Sequence, residues 1–286
     1  MRHLTLIMAV ICLLALSSSA TIHQVPADYT TIQAAVGASS PGDTIKVAAG
    51  TYMEHVNIHH SLVLIGESMY NTIIDAYGSN RCMFVNNCPG STGKITGFKF
   101  INCGIGSYSG FACAGLLINT VGSGNWEVCW NIFEDCPEIG LGVLDDGHLH
   151  HNFFKNCGNG TNATYQSALF VSSASNQIVE HNTLIWNHKA IFVHSGATSC
   201  IIKNNIVWDN VYGIWCDLPC TISYNDVYGN SYDYFNLATP GTGDISANPR
   251  LIGGTPFDFH LFWNSPCINA GDPVSPPDID GSICDM

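Results

Sequence analysis

The sequence predicts an all-β chain wound into a right-handed parallel β-helix, a solenoid entered through a short N-terminal capping helix. Three observations carry that expectation. An Asn-centred segment recurs every 20 to 30 residues, a second short apolar strand recurs between its copies, and no helical segment separates them.

The recurring segments are VCWNIFED (128–135), LHHNFFKN (149–156), VEHNTLIW (179–186), IKNNIVWD (202–209) and ISYNDVYG (222–229). Their anchors Asn131, Asn152, Asn182, Asn205 and Asn225 are spaced by 21, 30, 23 and 20 residues. A weaker copy, ITGFKFIN (95–102), places Gly97 at the anchor. Three residues before each anchor stand Val128, Leu149, Val179, Ile202 and Ile222; two after stand Phe133, Phe154, Leu184, Val207 and Val227. These columns are expected to face inward. The second strands are GLLIN (115–119), GLGVL (140–144), ALFVS (168–172), AIFVH (190–194) and GIWCD (213–217). Side chains alternate along a strand, so Leu117, Gly142, Phe170, Phe192 and Trp215 should face outward. Successive turns should stack about 4.8 Å apart. The anchor Asn has a mechanical reading: it tolerates the left-handed conformation of a sharp corner, and stacked amides can bond along the axis. The five anchors are therefore expected to form a structural ladder.

The ends and the composition add bounds. Residues 1–20 read as a secretory signal, with Arg2, an apolar run from Leu4 to Leu16, and the small-residue site Ser18-Ser19-Ala20. That run is too short for a membrane span, so a secreted or cell-surface location is expected. The layout follows: leader 1–20, coil with its N-terminal cap 21–246, C-terminal capping segment and tail 247–286. Thirteen Cys occur, and Cys12 leaves with the leader. The even remainder in an oxidising compartment suggests disulfides. Cys136 and Cys157 each lie five residues after an anchor on adjacent turns, where Cα atoms near 5 Å apart suit a bridge. Cys103 competes for that pairing, and Cys82–Cys88 and Cys267–Cys284 are local candidates. Metal-bound cysteine is the weaker reading, because no C-x-x-C pair exists. The formal charge of −13, or −14 once Arg2 is removed, repels nucleic acid and anionic membranes. It also repels polyuronates unless a cation such as Ca²⁺ bridges them.

Residues 28–75, DYTTIQAAVGASSPGDTIKVAAGTYMEHVNIHHSLVLIGESMYNTIID, resemble the entry segment of secreted β-helix proteins, including pectin methylesterases. The closing stretch NPRLIGGTPFDFHLFWNSPCINAGDP (248–273) resembles the end of bacterial β-helix proteins. The resemblance spans nearly all of the chain after the leader and implies the pectate-lyase-like superfamily, with a capping helix at about 30–38. That superfamily hosts lyases, hydrolases, esterases, epimerases and non-enzymes, so the resemblance implies a fold and not a reaction.

Motif by motif, the chemistry thins out. The paired catalytic Asp, Gln-rich motif and late Arg of pectin methylesterases have no counterparts; only Arg81 and Arg250 follow the leader. Asp145-Asp146-Gly147-His148 offers the paired carboxylates of a polygalacturonase without that family's other partners, and reads as a polar turn. A lyase needs a base and a means of neutralising a uronate. Lys189 and Lys203 are the basic candidates, and no dense carboxylate cluster for Ca²⁺ is visible. His150 shares an outward column with Cys129, Glu180, Lys203 and Ser223, where His150, Glu180 and Lys203 can interact as a charge ladder. His151 and His181 share a column with Trp130, Asn204 and Tyr224 that reads as a packed corner stack.

The strongest functional candidate is the outward aromatic stripe Phe170, Phe192 and Trp215, flanked by Asn119, Ser172, His194 and Asp217 with Asp145 near the same edge. Exposed aromatic platforms beside polar groups suit sugar rings. His194, Asp217 and Asp145 are the candidates for proton transfer; no catalytic residue is assigned. The competing reading is that residues 155–166 cover the stripe as satellite core. Asn159 and Asn162 open glycosylation sequons. The expectation is a monomeric protein that binds, and in its fuller form processes, an extracellular polysaccharide. The alternatives are a non-catalytic adhesion or surface-structural protein and a Ca²⁺-dependent polysaccharide lyase. No cofactor is assigned, and Ca²⁺ is the one considered.

Overall fold

The structure, a computed structural model, describes residues 20–108, 111–122, 124–160, 164–173 and 175–286. The expected leader up to residue 19 and the sequon residue Asn162 lie outside the described residues. Three parallel sheets, of nine, eight and eight strands among the described residues, form the walls of a parallel β-helix. Each full turn gives one strand to each sheet. Asn125–Cys129, Ile132–Glu134 and Ile139–Val143 make one turn. The next stacks on it in register, pairing Val128 with Leu149, Phe133 with Phe154 and Leu141 with Leu169.

The inward columns form one continuous core. Val128, Leu149, Val179 and Ile202 are fully buried, as are Phe133, Phe154, Leu184 and Val207. The rings of Phe100, Phe133 and Phe154 stack at 4.9 Å per step, the interstrand spacing expressed as aromatic packing. An open solenoid end would expose this core. At the N-terminal end the helix Ile32–Ala38 covers it with Ile32, Ala35 and Val36. Thr31 caps the helix by accepting from the Ala34 amide, and the Glu54 carboxylate accepts from the Ile32 and Gln33 amides, each at 2.9 Å.

The corner between the first and second sheets is a ladder of amides. Asn131 donates through Nδ2 to the Ile95 and Cys129 carbonyls and to Asn152 Oδ1. Asn152, Asn182 and Asn205 repeat the pattern toward the next amide, and Asn225 passes it to Asp244. Each side-chain oxygen also accepts the backbone N–H of the preceding rung. The left-handed residue is not the anchor but the one before it: Gly97, Trp130, His151, His181, Asn204 and Tyr224 all have φ between 52° and 83°. The anchors themselves are not left-handed; they spend their amides on the ladder, and the turn falls on the neighbour. The same register corrects the first copy. Ile95 pairs with Val128, which puts Phe98 at the anchor position and Gly97 in the left-handed corner.

A second ladder runs along the corner between the second and third sheets. Asn187 donates to Asn210, Asn210 to Asn230 and Asn230 to Asp233. Earlier turns fill this column with thiols, Cys103, Cys136 and Cys157, and the Cys157 amide donates to Asn187 Oδ1. This corrects the disulfide expectation. All twelve described cysteines are free thiols, including Cys82, Cys88, Cys136, Cys157, Cys267 and Cys284. The parallel register keeps side chains of one column parallel, so Cys136 and Cys157 stack; their thiols donate to the Phe100 and Phe133 carbonyls of the previous turn. Cys82 donates to the Ile101 carbonyl, Cys267 to Asp226, and Cys284 to the Asp272 carbonyl.

The C-terminal segment folds back beside the first corner. Cys267 reaches Asp226, the Asp272 amide donates to Asn204, and Phe259 packs on Phe153 at 4.5 Å. This return supplies one wall of the 660 Å³ cleft described below.

Candidate functional site

Two outer faces of the coil carry the candidate side chains. On the third sheet, Asn57, Phe84, Leu117, Gly142, Phe170, Phe192, Trp215 and Phe235 follow one another in register. The aromatic stripe is therefore real, but it is not open. Phe170 is 4% and Phe192 3% exposed, and both belong to a satellite core with Leu117 and Ile139. Tyr165 meets Phe170 edge-on at 5.4 Å. Lys189 lies over the Phe192 and Trp215 rings at 4.4 and 4.6 Å, and its buried ammonium is pushed down in pKa by desolvation. Trp215 is half-buried and donates to Asp217, which also accepts from Asn236. Apolar rings on neighbouring rungs lose more water contact by covering themselves than by waiting for a ligand, which is why the stripe closes.

A small opening survives at that stripe. A cavity of about 190 Å³ is lined by Tyr165, Phe170, Ser172 and His194, with the Ser172 hydroxyl 3.4 Å from His194 Nδ1. Asp145 is separate: it accepts from the Thr120 and Gly122 amides at 2.6 and 3.3 Å and lines a neighbouring 450 Å³ cavity with Asn119, Asp146 and Ser175. Burial raises its pKa, and its hydrogen bonds are those of a loop fastener. Ser172, His194, Asp217 and Asp145 are thus not gathered into one constellation.

On the first sheet the outer face is polar. Strand alternation places Lys94, Glu127 and His148 in one column and Cys129, His150, Glu180 and Lys203 in the next. Partners are chosen diagonally. His148 Nε2 meets Glu180 at 2.6 Å, while His150 Nε2 meets Glu127 at 3.2 Å. The expected ladder of His150 with Glu180 and Lys203 is corrected accordingly, because a side chain leaning along the strand reaches the diagonal neighbour first. Glu180 also faces Lys203 at 3.6 Å, and Lys203 is held by Asp272 at 3.1 Å and by the Ser275 hydroxyl. Lys94 closes the other end on Glu127 at 2.7 Å.

Behind these columns the left-handed corner presents a stack of rings. Trp130 lies on His151 at 4.5 Å, His151 on His181 at 5.0 Å, and Asn204 bonds His181 at 3.1 Å. The corner and the returning C-terminal segment enclose a cleft of about 660 Å³, lined by Trp130, His148, His150, Glu180, Phe259 and Asp278 among others. Three of its imidazoles, His150, His151 and His181, are lowered below their ordinary values. Burial lowers His150, with His148 adding to it, and lowers His181; burial with the neighbouring His181 takes His151 to about 4. Glu180 is held ionised, at about 2, chiefly by its hydrogen bond from His148.

The chance of finding this site from sequence lay in the strand alternation of Glu127-x-Cys129 and His148-x-His150, which puts four functional groups on one face of two paired strands. What the pattern could not reveal was the cleft, because its other wall comes from residues 257–286.

No protein-family model matches the chain, and no curated protein sequence matches it. Among solved structures the chain is similar to an alginate lyase from Paenibacillus sp. str. FPU-7, with 16% identity and a TM-score of 0.53 over 79% of this chain and 95% of that one. It is also similar to the pectin methylesterase from carrot, with 11% identity and a TM-score of 0.48 over 81% and 84%. The pectin methylesterase PemA from Erwinia chrysanthemi gives 12% identity and a TM-score of 0.41 over 68% and 65%. At these identities the likeness speaks to architecture: the chain has the right-handed parallel β-helix of the pectate-lyase-like fold.

Proposed function

We propose that this protein binds a neutral stretch of an extracellular polysaccharide in the cleft beside Trp130 and acts on it through the His148–Glu180 pair. The observation that carries the reading is an exposed indole beside a partnered carboxylate–imidazole pair in a cleft of ligand size. Pockets that hold small ligands run to about 300–1,000 Å³; the 660 Å³ cleft lies in that range and the 190 Å³ opening at Phe170 falls short. Trp130 is 47% exposed, and an indole can stack on the apolar face of a sugar. Glu180 fixes the His148 ring through Nε2, which leaves Nδ1 to take or give a proton. The charge of the ligand follows from the surroundings. The chain is acidic, no Lys or Arg lines the cleft among the described residues, and Lys203, which reaches its edge through Glu180, is engaged by Glu180 and Asp272.

The test is incubation with neutral and esterified polysaccharides, reading new reducing ends and released acyl groups, for the natural chain and Glu180→Gln. Activity that falls by about 10²–10⁴ in the variant supports the reading; equal activity in both removes the pair from the chemistry. The non-catalytic reading has one observation in its favour: Glu180 is already shared between His148 and Lys203. Binding without turnover of any polysaccharide would select it.

A further inference from the structure

Glu127, Cys129 and His150 form a three-donor cluster at the outer face of the first sheet, one donor atom from each lying within 4.8 Å of the others. Glu127 and Cys129 are two residues apart on one strand, so both point outward, and His150 pairs directly with Cys129 on the next strand. Two of the three separations match those of a coordination shell, and the third lies within 4.8 Å. His150 Nε2 lies 3.2 Å and Cys129 Sγ 3.4 Å from the same oxygen, Glu127 Oε1. Donors bound tetrahedrally at zinc distances stand about 3.3–3.7 Å apart. Cys129 is fully buried, yet it lies outside the coil's core and its direct neighbours in the column are the polar Thr96 and His150, so core packing gives no reason for a thiol there.

We propose that Glu127, Cys129 and His150 hold a divalent transition-metal ion of the zinc class, with the fourth position left to water. The donor set decides the ion. A thiol and an imidazole favour zinc or cobalt over Ca²⁺, which takes six or more oxygens. Three protein ligands plus one open position is the arrangement of reactive rather than purely structural zinc. Without a metal, the Lys94 ammonium stands 2.7 Å from Glu127 Oε1 and supplies the positive charge. Its side chain is 37% exposed, so it can swing away when an ion arrives. Binding converts the Cys129 thiol to a thiolate, and its proton leaves to solvent. His150 also lines the cleft of the proposed function, but the test below needs no glycan.

The experiment is titration of the full chain with Zn²⁺ against a chelating dye, followed by Co²⁺ absorption spectroscopy. The expected result is one ion per chain and a thiolate-to-cobalt charge-transfer band. Cys129→Ser should abolish that band, and both Cys129→Ser and His150→Gln should weaken zinc binding by more than about tenfold. Lys94→Ala, which removes the competing cation, should bind zinc at least as tightly as the natural chain. The wild-type cobalt spectrum requires no variant to fold. No stoichiometric binding by either the natural chain or Lys94→Ala, or binding unchanged by both ligand substitutions, would overturn the proposal.

Discussion

The outer faces of the first and third sheets are built from the same repeat and have opposite fates. On the third, consecutive rungs carry Phe170, Phe192 and Trp215, and the face has folded itself shut under Tyr165 and Lys189. On the first, consecutive rungs carry Glu127, His148, Glu180 and Lys203, and the face remains beside an open cleft. An apolar stripe gains by leaving water and recruits whatever loop is near. A row of paired charges would lose by the same burial unless every group kept its partner. Local periodicity creates both faces equally; the solvent decides which one stays available.

The comparison assumes a rigid frame common to both faces, and breaking that frame should give the largest effect. The Asn182 side chain gives and receives five hydrogen bonds along the first corner, four of them buried. Asn182→Ala is expected to cost roughly 3–5 kcal/mol, since it leaves several buried groups unpaired at once. Denaturant titration checks it. Asn225, near the end of the ladder, should cost less.

Closing of the third-sheet face predicts the next effect. Phe192→Ala should destabilise by about 2–4 kcal/mol, because it empties a covered site and removes the ring under Lys189. A loss below about 0.5 kcal/mol would mean that the face is open after all.

Acid should act on the first-sheet face. His150, His151 and His181 are lowered below their ordinary values, so the unfolded chain binds more protons than the folded one once pH falls below about 6.5. Stability is therefore expected to drop as pH falls through 6.5, and to keep dropping until His151 protonates at about 4 in the folded chain. Glu180, held at about 2, adds a further loss as pH falls below its ordinary value of 4.5. Melting curves from pH 8 to 4 check the sign. His151→Gln should flatten the slope between pH 6.5 and 4, whereas Phe192→Ala should shift the whole curve without changing it.

The smallest expected stability effect is at Trp130. Its ring is half in solvent, so Trp130→Ala should cost about 1 kcal/mol or less while weakening glycan binding.

Much of this was legible in the sequence because the repeat writes it five times. The inward columns and the anchors Asn131 to Asn225 are fixed by alternation and spacing alone. The second ladder was hidden by chemistry: Cys103, Cys136 and Cys157 occupy its first rungs, and a pair of cysteines on adjacent turns invites a disulfide reading. The openness of Phe170 and Phe192 was not legible, because non-repeating residues such as Tyr165 decide it and carry no periodicity. The same holds for the cleft. His148 and Glu180 are visible as outward residues, but the segment that walls them in, 257–286, lies in no register with the coil.

The most direct test of the account is oxidative footprinting of the tryptophans with a neutral oligosaccharide that the protein binds. The account predicts protection at Trp130, in the first-sheet cleft, and unchanged labelling at the half-buried Trp215 on the third sheet. Protection at Trp215 with none at Trp130 would place the ligand on the aromatic face and contradict it.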